Sequence, residues 1–194
     1  MSPARKPIWE PKHRMTLEEP GKPLPYDADR GLVADVSVKY DVRALVERLL
    51  DKDEASIKDA FEDFGQGLTQ LTMELADTKY TDRIGEMIEK VFRQTGISFP
   101  HRFQRYVELA ILASRPLDKW TVTKATTREL LLQVITCAVH QAMQEAGMSL
   151  EGLPCQAICF ASFRVAANKT GDPVKIEHTK TLPKDNLCEF VFSV

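Results

Sequence analysis

The hydrophobic period of this sequence changes after Pro116. Upstream, apolar residues recur at helical spacing; downstream they alternate or run continuously in strand-forming residues. Trp120, Val122 and Lys124 alternate with Thr121, Thr123 and Ala125, and Leu130 to Thr136 is a continuous apolar run rich in β formers. Together they predict a hairpin. Ala138 to Ala146 reads as a short helix ended by Gly147. Pro154 opens a further helix to about Asn168, with Gly171-Asp172-Pro173 as the turn. Val174 to Leu182 and Leu187 to Val194 close the chain as strands. The order after the upstream helices is β-β-α-α-β-β. Helices segregated from an antiparallel sheet make an α+β fold.

The upstream helices begin at Asp41, a residue suited to an N-cap. Val42, Leu45, Val46, Leu49 and Leu50 follow at helical spacing. A second helix is expected from about Asp53 to Asp77, with the stripe Ile57, Ala60, Phe61, Phe64, Leu68, Leu71 and Leu75. Gly65 and Gly67 stand inside it. Each costs about 1 kcal/mol against Ala there, so each needs a reason such as close approach of a helix or a ligand. A third helix is expected near Thr81 and a fourth from Pro100. These stripes are core faces and require no cofactor.

Residues 1–40 carry prolines at 3, 7, 11, 20, 23 and 25, which no regular period survives. They read as an extended arm ahead of a single α+β domain spanning 41–194. Ile8, Trp9, Leu17, Leu24 and Tyr26 make the arm too apolar for a purely solvated tail. It either wraps its own domain or packs on a protein partner, a second copy or a pocket.

Composition narrows the partners. The chain has 194 residues, 43% apolar and 28% charged, with net charge −2. That balance gives no electrostatic reason to expect nucleic acid or an anionic membrane. No apolar run approaches the ~20 residues that span a bilayer. The basic N-terminus has no apolar stretch behind it, so no secretory signal is read. Four cysteines without such a signal point to thiols in a reducing compartment, the cytoplasm.

All four cysteines fall in the C-terminal third. Cys137 ends a strand and begins a helix, where backbone N–H groups and the helix dipole favour a thiolate. His140 lies one turn on, which makes the two a nucleophile–base pair, a pair of metal ligands, or a buried thiol beside a surface histidine. Cys155 and Cys159 share a helix face, and Cys188 opens the last strand. With His178 these residues offer thiolate and imidazole donors of the kind zinc takes, Cys137, Cys159 and Cys188 foremost. No CxxC or HExxH spacing accompanies them. On the strand from Lys175 to Thr181, Ile176, His178 and Lys180 share one face; it either lines a cavity or meets water, depending on register. Glu189 is expected to be a solvent-exposed strand residue.

The run Val134-Ile135-Thr136-Cys137-Ala138-Val139-His140 resembles the strand end and helix start of the L-2-amino-thiazoline-4-carboxylic acid hydrolase family. The helix with Cys155 and Cys159, the Thr179-Lys180-Thr181-Leu182 strand end and Cys188-Glu189-Phe190-Val191-Phe192 extend the likeness. So do Gly65 and Gly67. The order of elements is similar to that of the 4-vinyl reductase type of small-molecule-binding domain. Ala138 stands where that pattern has Pro, no Asp follows Cys159, and Asp185-Asn186 replaces a Gly-Asp. The resemblance implies hydrolysis of a C–N or C–S bond in a small ring.

Three readings follow. In a hydrolase, Cys137 is nucleophile or ligand, His140 or His178 the base, and Lys180, Arg164 and Thr181 hold the substrate. In a non-catalytic accessory subunit the same pocket holds a small molecule, and the arm docks on a partner or a second copy. In a thiolate-metal protein the cysteines bind zinc.

Overall fold

The computed structural model describes residues 14–15, 30–79, 118–125, 128–149, 152–170 and 173–193. The helices expected from Thr81 and Pro100 lie outside these residues, as does most of the arm. One departure from the expected arm is visible. Arg30–Lys39 is a helix, α1, with Leu32 and Val36 one turn apart and buried. Arg14–Met15 forms a short strand, β1, paired with its own chain. The prolines stop at Pro25, so no proline interrupts residues 30–39; the reading of the whole segment as extended was drawn too far.

Helix α2 (Val42–Glu47) starts where Asp41 accepts a hydrogen bond from the Ala44 N–H at 2.7 Å. Helix α3 (Glu54–Asp77) starts the same way, Asp53 accepting from the Ser56 N–H at 2.8 Å. Each cap satisfies a donor that the helix itself leaves unpaired. Ile57, Phe61, Phe64 and Leu68 form the buried stripe of α3.

The sheet is antiparallel, in the order β1-β2-β3-β5-β4. Strands β2 (Lys119–Ala125) and β3 (Glu129–Thr136) are the expected hairpin. Strand β3 leads into α4 (Ala138–Glu145) and α5 (Gln156–Thr170). Strand β4 (Lys175–Lys180), a one-turn helix α6 (Leu182–Asp185) and β5 (Cys188–Ser193) close the chain. Strand β5 inserts between β3 and β4. The chain is thus α+β, and among the described residues no helix is long and apolar enough to cross a membrane.

Helix α5 is buried on two sides, which is why its apolar residues follow no single stripe. Ile158 packs into the helical core with Phe61, Phe64 and Leu68 of α3. Phe163, on the sheet side, sets its ring edge-on to Phe190 at 5.1 Å and Phe192 at 4.9 Å. The layers are therefore sheet, α5 and α3. Gly65 makes the α3–α5 approach feasible: a Cβ there would overlap the Ile158 carbonyl and stand 2.9 Å from its Cα. Ser162 clamps the crossing by donating to the Gly65 carbonyl at 3.1 Å. Gly67 faces the Tyr40 phenol ring in the same manner. Close helix approach is the reason at Gly65, and the packed Tyr40 side chain is the reason at Gly67.

Candidate functional site

The helix-facing side of the sheet and the start of α4 bring the cysteines together. Cys137, Cys155, Cys159 and Cys188 all line one cavity of about 20 Å³, with His140, Val134, Val139, Ile158, Leu182 and Phe190. All four are thiols, outside any disulfide. The void holds roughly one water molecule. It is walled mostly by apolar groups, and the Nε2 of His140 is buried with no hydrogen-bond partner among the described residues. Among the described residues no group of three or more His, Cys, Asp or Glu side chains is set to hold a metal ion. A tetrahedral zinc site needs its donors near 2.0–2.3 Å of one point. Cys137, Cys159 and Cys188 surround a common space without meeting that condition.

Helix α4 begins at Cys137 as N-cap, yet the thiol makes no cap hydrogen bond. Asp118, only 4% exposed, accepts from the Ala138 N–H at 2.8 Å instead. A carboxylate therefore already occupies the place where a thiolate would draw on the helix N-terminus. The sequence signal at Cys137 was sound in its location and incomplete in its chemistry, because the competing acid lies 20 residues away in the chain.

His178 sits behind Phe190, stacked on it with centroids 4.5 Å apart and planes 14° apart. Phe160 covers it edge-on at 6.2 Å. Its Nε2 is buried with no hydrogen-bond partner among the described residues. His178 thus belongs to the aromatic layer under α5 and stands outside the set lining the thiol cavity.

Lys180 does not share its face. A bulge between His178 and Lys180 sets His178 opposite Phe190 and Lys180 opposite Glu189. The extra residue reverses the alternation, a feature the period-2 reading of the strand could not contain. Lys180 Nζ donates to Glu189 at 3.1 Å, Thr179 Oγ1 donates to it at 2.9 Å and Gln133 Nε2 at 2.6 Å. Glu189 is 9% exposed, so the expectation of a solvated strand residue is corrected. The bulge and the pairing with Gln133 on β3 enclose it. Arg164 is exposed, its guanidinium carbon 6.0 Å from the centre of the Phe160 ring. Thr181 caps α6, its N–H donating to Asp185 at 2.8 Å. Asn186 ends α6 with φ 58, taking the left-handed role that a glycine would fill. Lys180, Arg164 and Thr181 are absent from the lining of the thiol cavity.

A larger space lies on the other side of α4. A groove of about 390 Å³ runs between the α1–α2 corner, α3 and α4. Its apolar floor includes Phe64, Leu68, Val139 and Ile158, and its polar rim includes Tyr40, Asp41, Arg43, Gln141 and Glu145. Val139 and Ile158 line both spaces and form the wall between them. No sequence signal marked the rim. Gln141 and Glu145, one turn apart, read like any solvated helix face, and only the packing of α2 beside α4 makes them part of a concavity. Comparison with protein-family models, curated proteins and solved structures found no match.

Burial pushes the imidazoles of His140 and His178 below the ordinary histidine value. At His178 a backbone hydrogen bond with Lys180 and the Asp185 charge partly offset it. Because the folded values lie lower, the unfolded chain takes up protons first as pH falls, and stability drops from the ordinary histidine value through the folded ones. Glu189 is also lowered, by the Gln133 hydrogen bond first and then by Lys180 and Thr179, against an opposing burial effect. Its contribution is complete above the ordinary glutamate value and is lost as pH falls through its own. Urea midpoints should therefore decline in two windows, histidine then carboxylate. His178→Phe, which keeps the stack, should flatten the first; an unchanged slope in a His140→Gln/His178→Phe double variant would refute the assignment.

Proposed function

We propose that this protein is a small-molecule-binding protein whose ligand lies in the groove between the α1–α2 corner, α3 and α4. The observation that supports it is the groove itself: about 390 Å³, with an apolar floor and a polar rim. Small-molecule sites typically span about 300–1,000 Å³ with a few converging polar groups. The thiol cavity, at about 20 Å³, is too small to admit a substrate as it stands. A fragment screen by thermal shift, with amide mapping of the hits, tests this reading. A ligand at a hundredfold excess over its Kd adds about 2.7 kcal/mol, which raises Tm by about 5–10 °C for a chain of this size. Hits should move the Gln141, Ala142 and Glu145 amides and be lost on Ala142→Phe. Hits that map elsewhere and survive that substitution would reject the groove.

A second reading is favoured by the shared wall. Cys137 and His140 line a cavity separated from the groove by Val139 and Ile158. A ring bound in the groove would lie one side chain from a thiol and a neutral imidazole base. That supports a hydrolase of the amino-thiazoline carboxylate type: His140 takes the Cys137 proton as the sulfur adds to the amidine carbon, the proton passes to the ring sulfur or nitrogen as its bond to that carbon breaks, and water then displaces the Cys137 thiol. Incubation with the thiazoline separates the two readings. Ring opening that Cys137→Ala abolishes supports hydrolysis; binding without ring opening leaves the non-catalytic reading alone.

A further inference from the structure

Resting on the groove-binding reading, we infer that the groove selects organic cations: an ammonium group carried on a ring-sized apolar body. The ionisable groups on its lining are Asp41, Arg43 and Glu145, two carboxylates against one guanidinium. Asp41 spends one oxygen on the Ala44 N–H and keeps its charge and its second oxygen. Among the described residues neither Arg43 nor Glu145 joins an ion pair. Counted over the described residues, the rim therefore carries a net negative charge over a floor of low polarity, where field lines concentrate.

Two aromatic rings strengthen the preference. Tyr40 and Phe64 both line the groove, with centroids 5.6 Å apart and planes at 80°. Rings set nearly perpendicular form a corner, and the electron-rich face of an aromatic ring attracts an ammonium group. Leu68, Val139 and Ile158 supply the apolar surface for the body that carries it. An anion would meet Asp41 and Glu145 together; a neutral ligand would leave the acids unanswered.

The test uses the full chain and four probes of one shape: phenethylamine, 3-phenylpropionate, phenylalanine and 2-phenylethanol. Amide shifts at Arg43, Gln141, Ala142 and Glu145 report binding. Phenethylamine should bind at least tenfold more tightly than the other three. Glu145→Gln should weaken it several-fold, while Arg43→Gln, which removes the one guanidinium on the rim, should tighten it. Both residues are exposed, so neither change threatens the fold. Equal or tighter binding of the anion, the zwitterion or the alcohol overturns the cation inference and leaves the groove reading intact. Absence of groove shifts with all four probes at millimolar concentration also overturns it, and the broader fragment screen then decides the groove reading separately.

Discussion

Gly65→Ala is expected to destabilise the protein by about 2 kcal/mol or more, although the same change in an open helix would stabilise it by about 1 kcal/mol. The added methyl would overlap the Ile158 carbonyl and crowd its Cα at 2.9 Å. Those atoms belong to the backbone of α5 and cannot rotate away. Helices α3 and α5 must separate, which strains the Ser162 clamp on the Gly65 carbonyl and loosens Phe61, Phe64 and Leu68 around Ile158. Overpacking of this kind costs about 1–3 kcal/mol and more where the obstacle is rigid, so the clash outweighs the propensity gain. Gly67→Ala is the control. It meets the outer end of the Tyr40 ring, a side chain that can swing, and should cost less than about 1 kcal/mol. Urea unfolding measures both through the midpoint at constant slope. Equal costs at the two glycines would refute the distinction between backbone and side-chain obstacles.

These glycines also mark how much the sequence disclosed. Inside a strongly periodic helix they are anomalies of local propensity, and such anomalies point to tertiary contact. The cap at Asp41, the β2–β3 hairpin and the strand–helix junction at Cys137 were legible for similar reasons: each is decided within a few residues. What could not be read depends on partners distant in sequence. Asp118 takes the helix start beside Cys137 from 20 residues upstream. The bulge that turns Lys180 away from His178 is fixed by pairing with β5, a choice invisible in the strand alone. The sequence places all four thiols in the C-terminal third, and the fold brings them around one cavity. Its enclosure to about 20 Å³ follows from side-chain volumes at Val139, Ile158, Leu182 and Phe190. The groove rim was missed because exposed polar residues on helices carry no periodic signal of concavity.

Phe190→Ala is expected to cost about 3–5 kcal/mol, a large share of the about 5–15 kcal/mol that holds a domain folded. Phe190 is 0% exposed and sits where the sheet meets α5. It pairs with Leu132 across β3 and with His178 across β4. Its ring meets Phe160 at 6.0 Å and Phe163 at 5.1 Å, both edge-on, and stacks on His178. Removing it forfeits the burial of the ring and the geometry of those contacts, each worth about 0.5–1.5 kcal/mol beyond area alone. The space left adjoins the thiol cavity, which Phe190 itself lines. The two voids merge, and neighbouring groups relax only partly into the gap. Phe190→Leu, which refills most of the volume, should recover about half of the loss. Thiol reactivity provides a second readout. Cys159 is the buried one of the four thiols, so its alkylation in the wild type is expected to be slow. In the alanine variant, alkylation under native conditions should accelerate well beyond what its lower global stability accounts for, since the enlarged cavity admits reagent without unfolding. Rates that track global stability alone across the wild type, leucine and alanine proteins would show that Phe190 supports the fold without closing the thiol cavity.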